Sequence, residues 1–212
     1  MKILQIMCHP DYNGEHRVSN ILAKIGEDKL IEKGFSSIEK INLYDSSVHI
    51  PVMDKFMFNY EGEKLTEKEQ HDKIRQKEIL NQWKSADAVF IYMPLHNFNV
   101  VSKFKDYVDN IVIVNETFKC EEEYLIGLDK RNKQITFVLT SGGEFDKHIQ
   151  YTNLDFAVQY VRGIFSVIGI DKVKVLRVEG LDLAFNNKKD IVEKGIRELE
   201  EWIEEFSRKN KK

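Results

Sequence analysis

The stretch Ala88-Val89-Phe90-Ile91-Tyr92-Met93 decides the fold class of this chain, because every side chain in it is apolar. A strand with one face in water alternates apolar and polar residues, whereas a strand covered on both faces is apolar throughout. We therefore expect a β-strand here, inside a parallel sheet with helices on both faces.

Further runs rich in β-branched residues occur before and after this stretch, with segments of helical spacing between them. The predicted strands are Lys2 to Cys8, Ile38 to Tyr44, Ala88 to Met93, Ile135 to Thr140 and Val173 to Val178. The predicted helices are Val18 to Lys33, Thr66 to Ser85, Ser102 to Val114, Leu154 to Ile168 and Lys188 to Lys209. This alternation predicts an α/β fold, a doubly wound five-stranded parallel sheet that forms a single domain over residues 1–212.

The composition narrows the class of protein. The chain has 212 residues, 42% hydrophobic and 11% aromatic, enough to bury a core without disulfides or metals. A net charge of -3 gives no field that would attract a nucleic acid. The two cysteines do not form a secreted disulfide framework, and the apolar N-terminus is too short for a membrane span. We expect a cytoplasmic protein without a metal centre or a membrane segment.

The loop after the first strand, His9 to Asn20, is the first candidate site. The carboxyl ends of parallel strands form the edge at which ligands bind. Backbone N–H groups at the helix start, with the Ser19 hydroxyl, the Asn20 amide and the Arg17 guanidinium, suit a phosphate group. Alternatively, Ser19 and Asn20 simply begin a helix. The GxGxxG and P-loop patterns are missing, which argues against a dinucleotide-binding Rossmann site or a P-loop.

The turn after the third strand is the second candidate site. Pro94 ends the strand, and Leu95 and Phe98 supply apolar surface beside the polar His96 and Asn97. This mixture suits a flat heteroaromatic ring with polar edges, although an ordinary turn can also contain Pro and Asn. His96 is also a candidate for a catalytic acid or base.

The third candidate site follows the fourth predicted strand, at Thr140-Ser141-Gly142-Gly143-Glu144-Phe145. Paired glycines allow the backbone to approach a ligand, and successive N–H groups can point at an anion. A plain glycine turn explains the pattern equally well. Because all three stretches follow strands of one parallel sheet, we expect them at the same edge.

At this point the sequence resembles the flavodoxin-like FMN-dependent NADH-azoreductases and quinone reductases. The likeness rests on His-Pro after the first strand, Ser-Asn opening the first helix, Pro-Leu-His-Asn-Phe-Asn at 94–99 and Thr-Ser-Gly-Gly at 140–143, and it extends over nearly the whole chain. It implies an FMN-dependent enzyme that passes electrons from NADH or NADPH to quinones, azo compounds or similar planar acceptors. Because donor and acceptor would stack on the same flavin face in turn, we expect ping-pong kinetics.

The resemblance also implies where FMN binds. The phosphate would contact His9, Arg17 and Ser19; the isoalloxazine would contact Pro94, Leu95, His96, Asn97 and Phe98; and its pyrimidine side would contact Ser141, Gly142 and Gly143. Family members commonly have Ser-Arg-Gly-Gly in the last stretch and a tyrosine at position 120, whereas this chain lacks the arginine and has Cys120. These differences leave the identity of the electron acceptor open.

We further expect a homodimer with active sites at its interface, because a planar substrate needs a second wall. Aromatic and apolar residues that could build that wall are Phe56, Phe58, Tyr60, Phe156, Tyr160, Ile164 and Phe165. The alternative function is a flavin-binding regulatory or electron-carrier module that acts with a protein partner. A carrier is usually smaller and strongly acidic, unlike this chain.

Overall fold

Five parallel strands form the centre of the structure, a computed structural model in which residues 1–54, 64–129, 131–145 and 149–210 are described. Together with the two strands of a separate hairpin, the strands in chain order are β1 (Lys2–Met7), β2 (Ser37–Asn42), β3 (Ala88–Pro94), β4 (Phe118–Glu121), β5 (Tyr124–Gly127), β6 (Gln134–Thr140) and β7 (Val173–Val178). The helices are α1 (Val18–Glu32), α2 (Glu67–Ser85), α3 (Ser102–Asp109), α4 (Ile149–Thr152), α5 (Phe156–Val167) and α6 (Lys188–Asn210).

The order of the parallel strands is β2-β1-β3-β6-β7, and every neighbouring pair is parallel. The chain passes from β1 to β2 on one side and then crosses to β3 on the other side of β1. The switch in strand order therefore lies between β1 and β3, and at such a switch the loops that follow the two strands diverge and typically form a ligand-binding crevice. The predicted doubly wound five-stranded sheet is confirmed.

Two apolar clusters lie on opposite faces of the sheet, and β3 contributes to both. Its Val89, Ile91 and Met93 side chains belong to the cluster under α2, α3 and α5, and its Ala88, Phe90 and Tyr92 side chains belong to the cluster under α1 and α6. This division explains why the stretch is apolar at every position. Within the described ranges, no helix is both long and apolar enough to cross a membrane.

Helix α3 is shorter than predicted, because it ends at Asp109 and not at Val114. The Asn110 side chain explains the difference. Its amide nitrogen donates to the carbonyl of Asp106 at 2.8 Å and to the carbonyl of Pro51 at 2.7 Å. The second of these bonds ties the helix end to the segment that follows β2, which is tertiary information that helical spacing does not contain.

A two-stranded antiparallel hairpin, β4–β5, lies between residues 115 and 133, for which the sequence predicts neither a helix nor a strand. Its backbone packs closely on the end of α5: a Cβ atom added to Gly127 would overlap the backbone of Gly169. The hairpin exposes Cys120, whereas Cys8, at the end of β1, is fully buried.

Candidate active site

The three predicted stretches meet at the carboxyl edge of the sheet, since β1, β3 and β6 are adjacent strands. Backbone hydrogen bonds join them directly. The N–H of Leu95 donates to the carbonyl of Thr140 at 2.7 Å, and the N–H of Cys8 donates to the carbonyl of Tyr92 at 2.9 Å. One continuous site is therefore possible along this edge.

The loop after β1 is organised around Asp11. The backbone N–H of Asp11 donates to Nδ1 of His9 at 2.9 Å, and Nε of Arg17 donates to the Asp11 carboxylate at 2.8 Å. The Asn20 amide nitrogen donates to the carbonyls of Asp11 and Gly14 at 2.9 and 3.0 Å. The Asn20 N–H groups that the sequence analysis assigned to a phosphate instead close the loop.

The charges of this loop affect its titrating groups. Partial burial, then the nearby Arg17 guanidinium, lower the pKa of His9. The hydrogen bond from Arg17 lowers the pKa of the Asp11 carboxyl. Arg17 bonds to Asp11 through Nε, which leaves the remaining edge of its guanidinium for an anion.

Ser19, in the first turn of α1, carries a polar atom without a partner. The residue is 2% exposed, and its Oγ makes no hydrogen bond. The Arg17 side chain does not cap the start of this helix, and the N–H groups of Val18 and Ser19 precede the first backbone hydrogen bonds of the helix, which Asn20 and Ile21 donate to the Arg17 carbonyl. A buried hydroxyl is nearly always paired in native proteins, and an orphan at a helix start fits an anion that completes the set.

The turn after β3 is tight and strained. His96 and Asn99 exchange two backbone hydrogen bonds, at 3.1 and 3.0 Å, around Asn97 and Phe98. Both central residues have positive φ, 47° for Asn97 and 64° for Phe98, as in a type I′ turn. Such a conformation costs on the order of 1 kcal/mol for a residue other than glycine. Both side chains are exposed.

Aromatic side chains continue from this turn. The ring of Phe98 meets that of Phe145 edge-on at 5.9 Å between centroids, and Phe145 meets Tyr151 at 6.2 Å. Phe145 has no role assigned from the sequence, although its place two residues after the paired glycines was a signal. Tyr151, in α4, had no signal of its own. These rings form an apolar wall beside the turn.

In the glycine turn after β6, the two glycine carbonyls accept backbone hydrogen bonds, whereas the two glycine N–H groups donate none within the described ranges. The Gly142 carbonyl accepts from the Asp182 N–H at 3.1 Å, and the Gly143 carbonyl accepts from the Gly180 N–H at 3.0 Å. Ser141 Oγ also donates to the Gly143 carbonyl, at 2.8 Å, so this hydroxyl shapes the turn and does not face a ligand. Among the described residues, the N–H groups of Gly142 and Gly143 donate no backbone hydrogen bond, and the Asp182 carboxylate lies beside Gly142.

Gly142 has no room for a side chain on its inner side, because a Cβ atom there would collide with the Asp182 carboxylate. In contrast, the structure gives His96 no positioning contact: the side chain is exposed, and no described residue hydrogen-bonds to its ring. The role of His96 as acid or base stays an unsupported prediction.

Together, these groups can hold a planar ligand that carries an anion. The anion would meet the Ser19 hydroxyl, the start of α1 and the Arg17 charge, while a flat ring would lie across the two turns. The open N–H groups of Gly142 and Gly143 would stabilise negative charge at the ring edge. FMN has this combination of phosphate and heteroaromatic ring, so the residues present fit it.

Comparisons with known proteins agree with the observed fold. The family described as "Flavodoxin-like fold" matches residues 1–203. The chain is 34% identical over 215 residues to an FMN-dependent NADH:quinone oxidoreductase 1 of Bacillus anthracis, covering 98% of this chain and 96% of that protein. It is 36% identical over 178 residues to a protein of the same name from Bacillus cereus, covering 82% of each chain.

A solved structure is also similar to nearly the whole of this chain. It is an FMN-dependent NADH-azoreductase from Bacillus anthracis str. Ames Ancestor in complex with FMN, with a TM-score of 0.89 and 32% sequence identity. The likeness covers 98% of this chain and 100% of that chain.

Proposed function

We infer the function from family membership. This chain belongs to the flavodoxin-like family of FMN-dependent NADH:quinone oxidoreductases. We propose that it passes electrons from NADH through FMN to quinones, azo compounds or similar planar acceptors. The observation that carries the proposal is the buried, unpartnered Ser19 hydroxyl at an uncapped helix start. A bound phosphate supplies the partner that this hydroxyl lacks.

At the phosphate end, we assign binding to Ser19, Arg17 and His9. The Ser19 hydroxyl and the first N–H groups of α1 donate hydrogen bonds, and Arg17 adds a positive charge. Asp11 is a positioning residue, because its carboxylate accepts from Arg17 and its backbone N–H donates to Nδ1 of the His9 imidazole. Its carboxylate also keeps the loop from accumulating uncompensated positive charge.

At the ring end, Pro94, Leu95 and Phe98 supply apolar contact, while the Asn97 amide and the Gly142 and Gly143 N–H groups meet the polar edge. When bound, FMN supplies two-electron chemistry, accepting a hydride equivalent from NADH and returning electrons to an acceptor. The open glycine N–H groups stabilise the negative charge that arises on the ring edge, and they need no reorganisation because their carbonyls are already fixed. The chain supplies orientation and electrostatics rather than a side-chain acid or base.

We propose that the whole chain is one domain that acts as a cytoplasmic homodimer with shared active sites. Phe156 in α5 is 45% exposed and Tyr151 is 40% exposed, which supplies apolar surface beside the crevice. Phe165 was expected in the interface, but it is fully buried and stacks on Trp83 at 5.2 Å. Phe56, Phe58 and Tyr60 lie outside the described residues.

The decisive test is NADH oxidation by the purified chain with a quinone and no other protein. We expect bound FMN released by denaturation, steady turnover and parallel double-reciprocal lines, because donor and acceptor occupy the same space in succession. A protein that binds FMN but oxidises NADH only with a protein partner would instead be a regulatory or carrier module. A preparation that stays colourless after FMN addition and desalting would refute both.

Sedimentation of the active protein tests the dimer separately. A species of twice the chain mass of 24.9 kDa is expected. Full reductase activity in a species of one chain mass would refute the shared site and leave the flavin chemistry intact.

A further inference from the structure

A cluster of three potential metal ligands lies outside the candidate active site. His49 follows β2, and His71 and Asp72 lie in α2; one ligand atom from each residue lies within 4.8 Å of the others. Nε2 of His49 is 2.5 Å from Oδ1 of Asp72, and the two imidazole rings are 5.8 Å apart. No metal centre was expected from the sequence, in which these three ligands lie on two separate segments.

We propose that His49, His71 and Asp72 form a zinc site. Two imidazole nitrogens with one carboxylate oxygen are a ligand set that suits Zn²⁺, whereas Mg²⁺ and Ca²⁺ prefer oxygen ligands alone. Zn²⁺ imposes no geometry through its d electrons, so it tolerates ligands that arrive from a loop and a helix. Water would take the fourth position, since both histidines are exposed.

The burial of the three side chains supports a site that an ion can enter. The Asp72 side chain is only 8% exposed, so its carboxylate is held in place, and the His49 side chain is 48% exposed. Zinc ligands about 2 Å from the ion stand roughly 3 Å apart. The present contact between His49 and Asp72 is shorter, so the ion would replace their hydrogen bond and move the exposed imidazole outward by less than about 1 Å.

Among the described residues, the neighbouring Arg75 does not pair with the Asp72 carboxylate. Arg75 lies one turn beyond His71 and Asp72 on α2, but its Nε donates to the backbone carbonyl of His49 at 2.9 Å, and its Nη1 pairs with Glu78 at 2.8 Å. Arg75 therefore fixes the His49 backbone while leaving the Asp72 carboxylate to the imidazoles. The backbone of His49, the ligand on the loop, is therefore held in place before an ion binds.

The ion would link the segment after β2 to α2. That segment is already anchored beyond His49, where Ile50 is 2% exposed and the Pro51 carbonyl accepts from Asn110. A zinc ion would add a coordination link on the other side of this anchor, and it would stabilise the folded state because an unfolded chain does not hold the three ligands together. The site uses no residue of the flavin site, so it goes beyond the proposed function.

Calorimetric titration of the metal-stripped, FMN-loaded protein with ZnCl2 tests the site. We expect one zinc per chain, a raised midpoint of thermal unfolding, and no displacement by excess Mg²⁺. His71→Ala is the informative variant, because this side chain is exposed and its loss should leave the fold intact. Losing a ligand should weaken zinc binding by about 100-fold or more, since even partners behind the ligands are worth about 10- to 100-fold.

Two matched variants separate this site from other zinc-binding groups. His16→Ala removes an exposed histidine outside the cluster, and Cys120→Ser removes the exposed thiol. Both should bind zinc like the parent protein. No saturable zinc binding, equal binding by His71→Ala, or loss of binding in Cys120→Ser would overturn the proposal. None of these results bears on FMN binding, and a protein without FMN could still confirm the zinc site.

Discussion

Buried polar groups at the two ends of the parallel sheet differ in whether they have hydrogen-bond partners. At the amino end, Lys133 is 2% exposed, yet its Nζ donates to the carbonyls of Trp83 and Ala86 at 2.7 and 2.6 Å. The same atom lies 3.3 Å from the Asp129 carboxylate and 5.0 Å from the Trp83 ring centroid. At the carboxyl end, no described residue hydrogen-bonds to the buried Ser19 hydroxyl.

Backbone geometry repeats this difference. At the amino end, the N–H of Lys2 donates to the Asp87 carboxylate at 2.7 Å, and the N–H of Asp87 donates to the Lys2 carbonyl at 2.8 Å. At the carboxyl end, Asn97 and Phe98 hold positive φ in one turn. The amino end therefore contributes stability, and the carboxyl end gives up stability to keep groups available for a ligand.

Lys133→Met should produce the largest loss of stability. The substitution removes the hydrogen-bond donor to two backbone carbonyls and the cation that pairs with Asp129. Removing one partner of a buried ion pair lowers the free energy of unfolding by about 3–5 kcal/mol. Urea unfolding measures the change. Arg131→Gln is the matched control: Arg131 donates to the Ser85 carbonyl at 3.0 Å from an exposed position, and it should cost less than about 1 kcal/mol. An equal loss in both variants would contradict the contrast between a buried and an exposed donor.

Ser19→Ala should change ligand binding and leave the fold in place. A hydrogen bond to a charged group contributes about 1.5–3 kcal/mol, so FMN affinity should fall by about 10- to 150-fold. The apoprotein should be at least as stable as the parent, because an unpaired buried hydroxyl is removed. Flavin fluorescence titration measures the affinity, with Ser207→Ala, another buried serine, as the control. Unchanged affinity would place the phosphate elsewhere.

Asn97→Gly and Asn97→Ala separate strain from contact. Both remove the amide and should weaken FMN binding. Only glycine accepts φ of 47° freely, so the glycine variant should be about 1 kcal/mol more stable than the alanine variant. Thermal unfolding of the two apoproteins compares them. Equal stabilities would show that the turn relaxes without cost, and equal FMN affinity to the parent would remove Asn97 from the site.

His9→Gln should give the smallest effect, a change in pH dependence. Because the pKa of His9 is lowered from 6.5 in the fold, the unfolded chain binds the proton more readily. Stability of the apoprotein should then fall as the pH drops through 6.5, and the variant should lose this part of the slope. The pKa of Asp11 is lowered from 3.8, so it titrates below this window. A slope that His9→Gln leaves unchanged would assign it to another group.

The sequence was sufficient for the sheet because its signal is local. Alternating residues of 88–93 face two different clusters, so an uninterrupted apolar run predicts a covered strand. The β4–β5 hairpin was not predicted, because its strands are only four residues long. Its turn also has Glu122, with φ of 51°, at a position where glycine or asparagine is the usual signal.

The candidate site was predictable in position but not in the direction of each polar group. Strand ends placed the three stretches correctly at one edge. Whether a side chain serves the loop or faces the crevice depends on tertiary neighbours, as Asn20 and Ser141 show by bonding to nearby carbonyls. The His49 and His71 cluster depends on how the segment after β2 folds over α2, which spacing alone does not encode.

The unequal exposure of the two cysteines makes the chain suited to single-site labelling. Burial raises the pKa of the Cys8 thiol well above its usual value, so it has no reactive thiolate near neutral pH, while Cys120 stands exposed on β4. A maleimide dye added to the native protein would therefore mark one position on each chain, on the β4–β5 hairpin. In a twofold assembly, donor and acceptor dyes mixed between chains would report subunit exchange by energy transfer without any engineered cysteine.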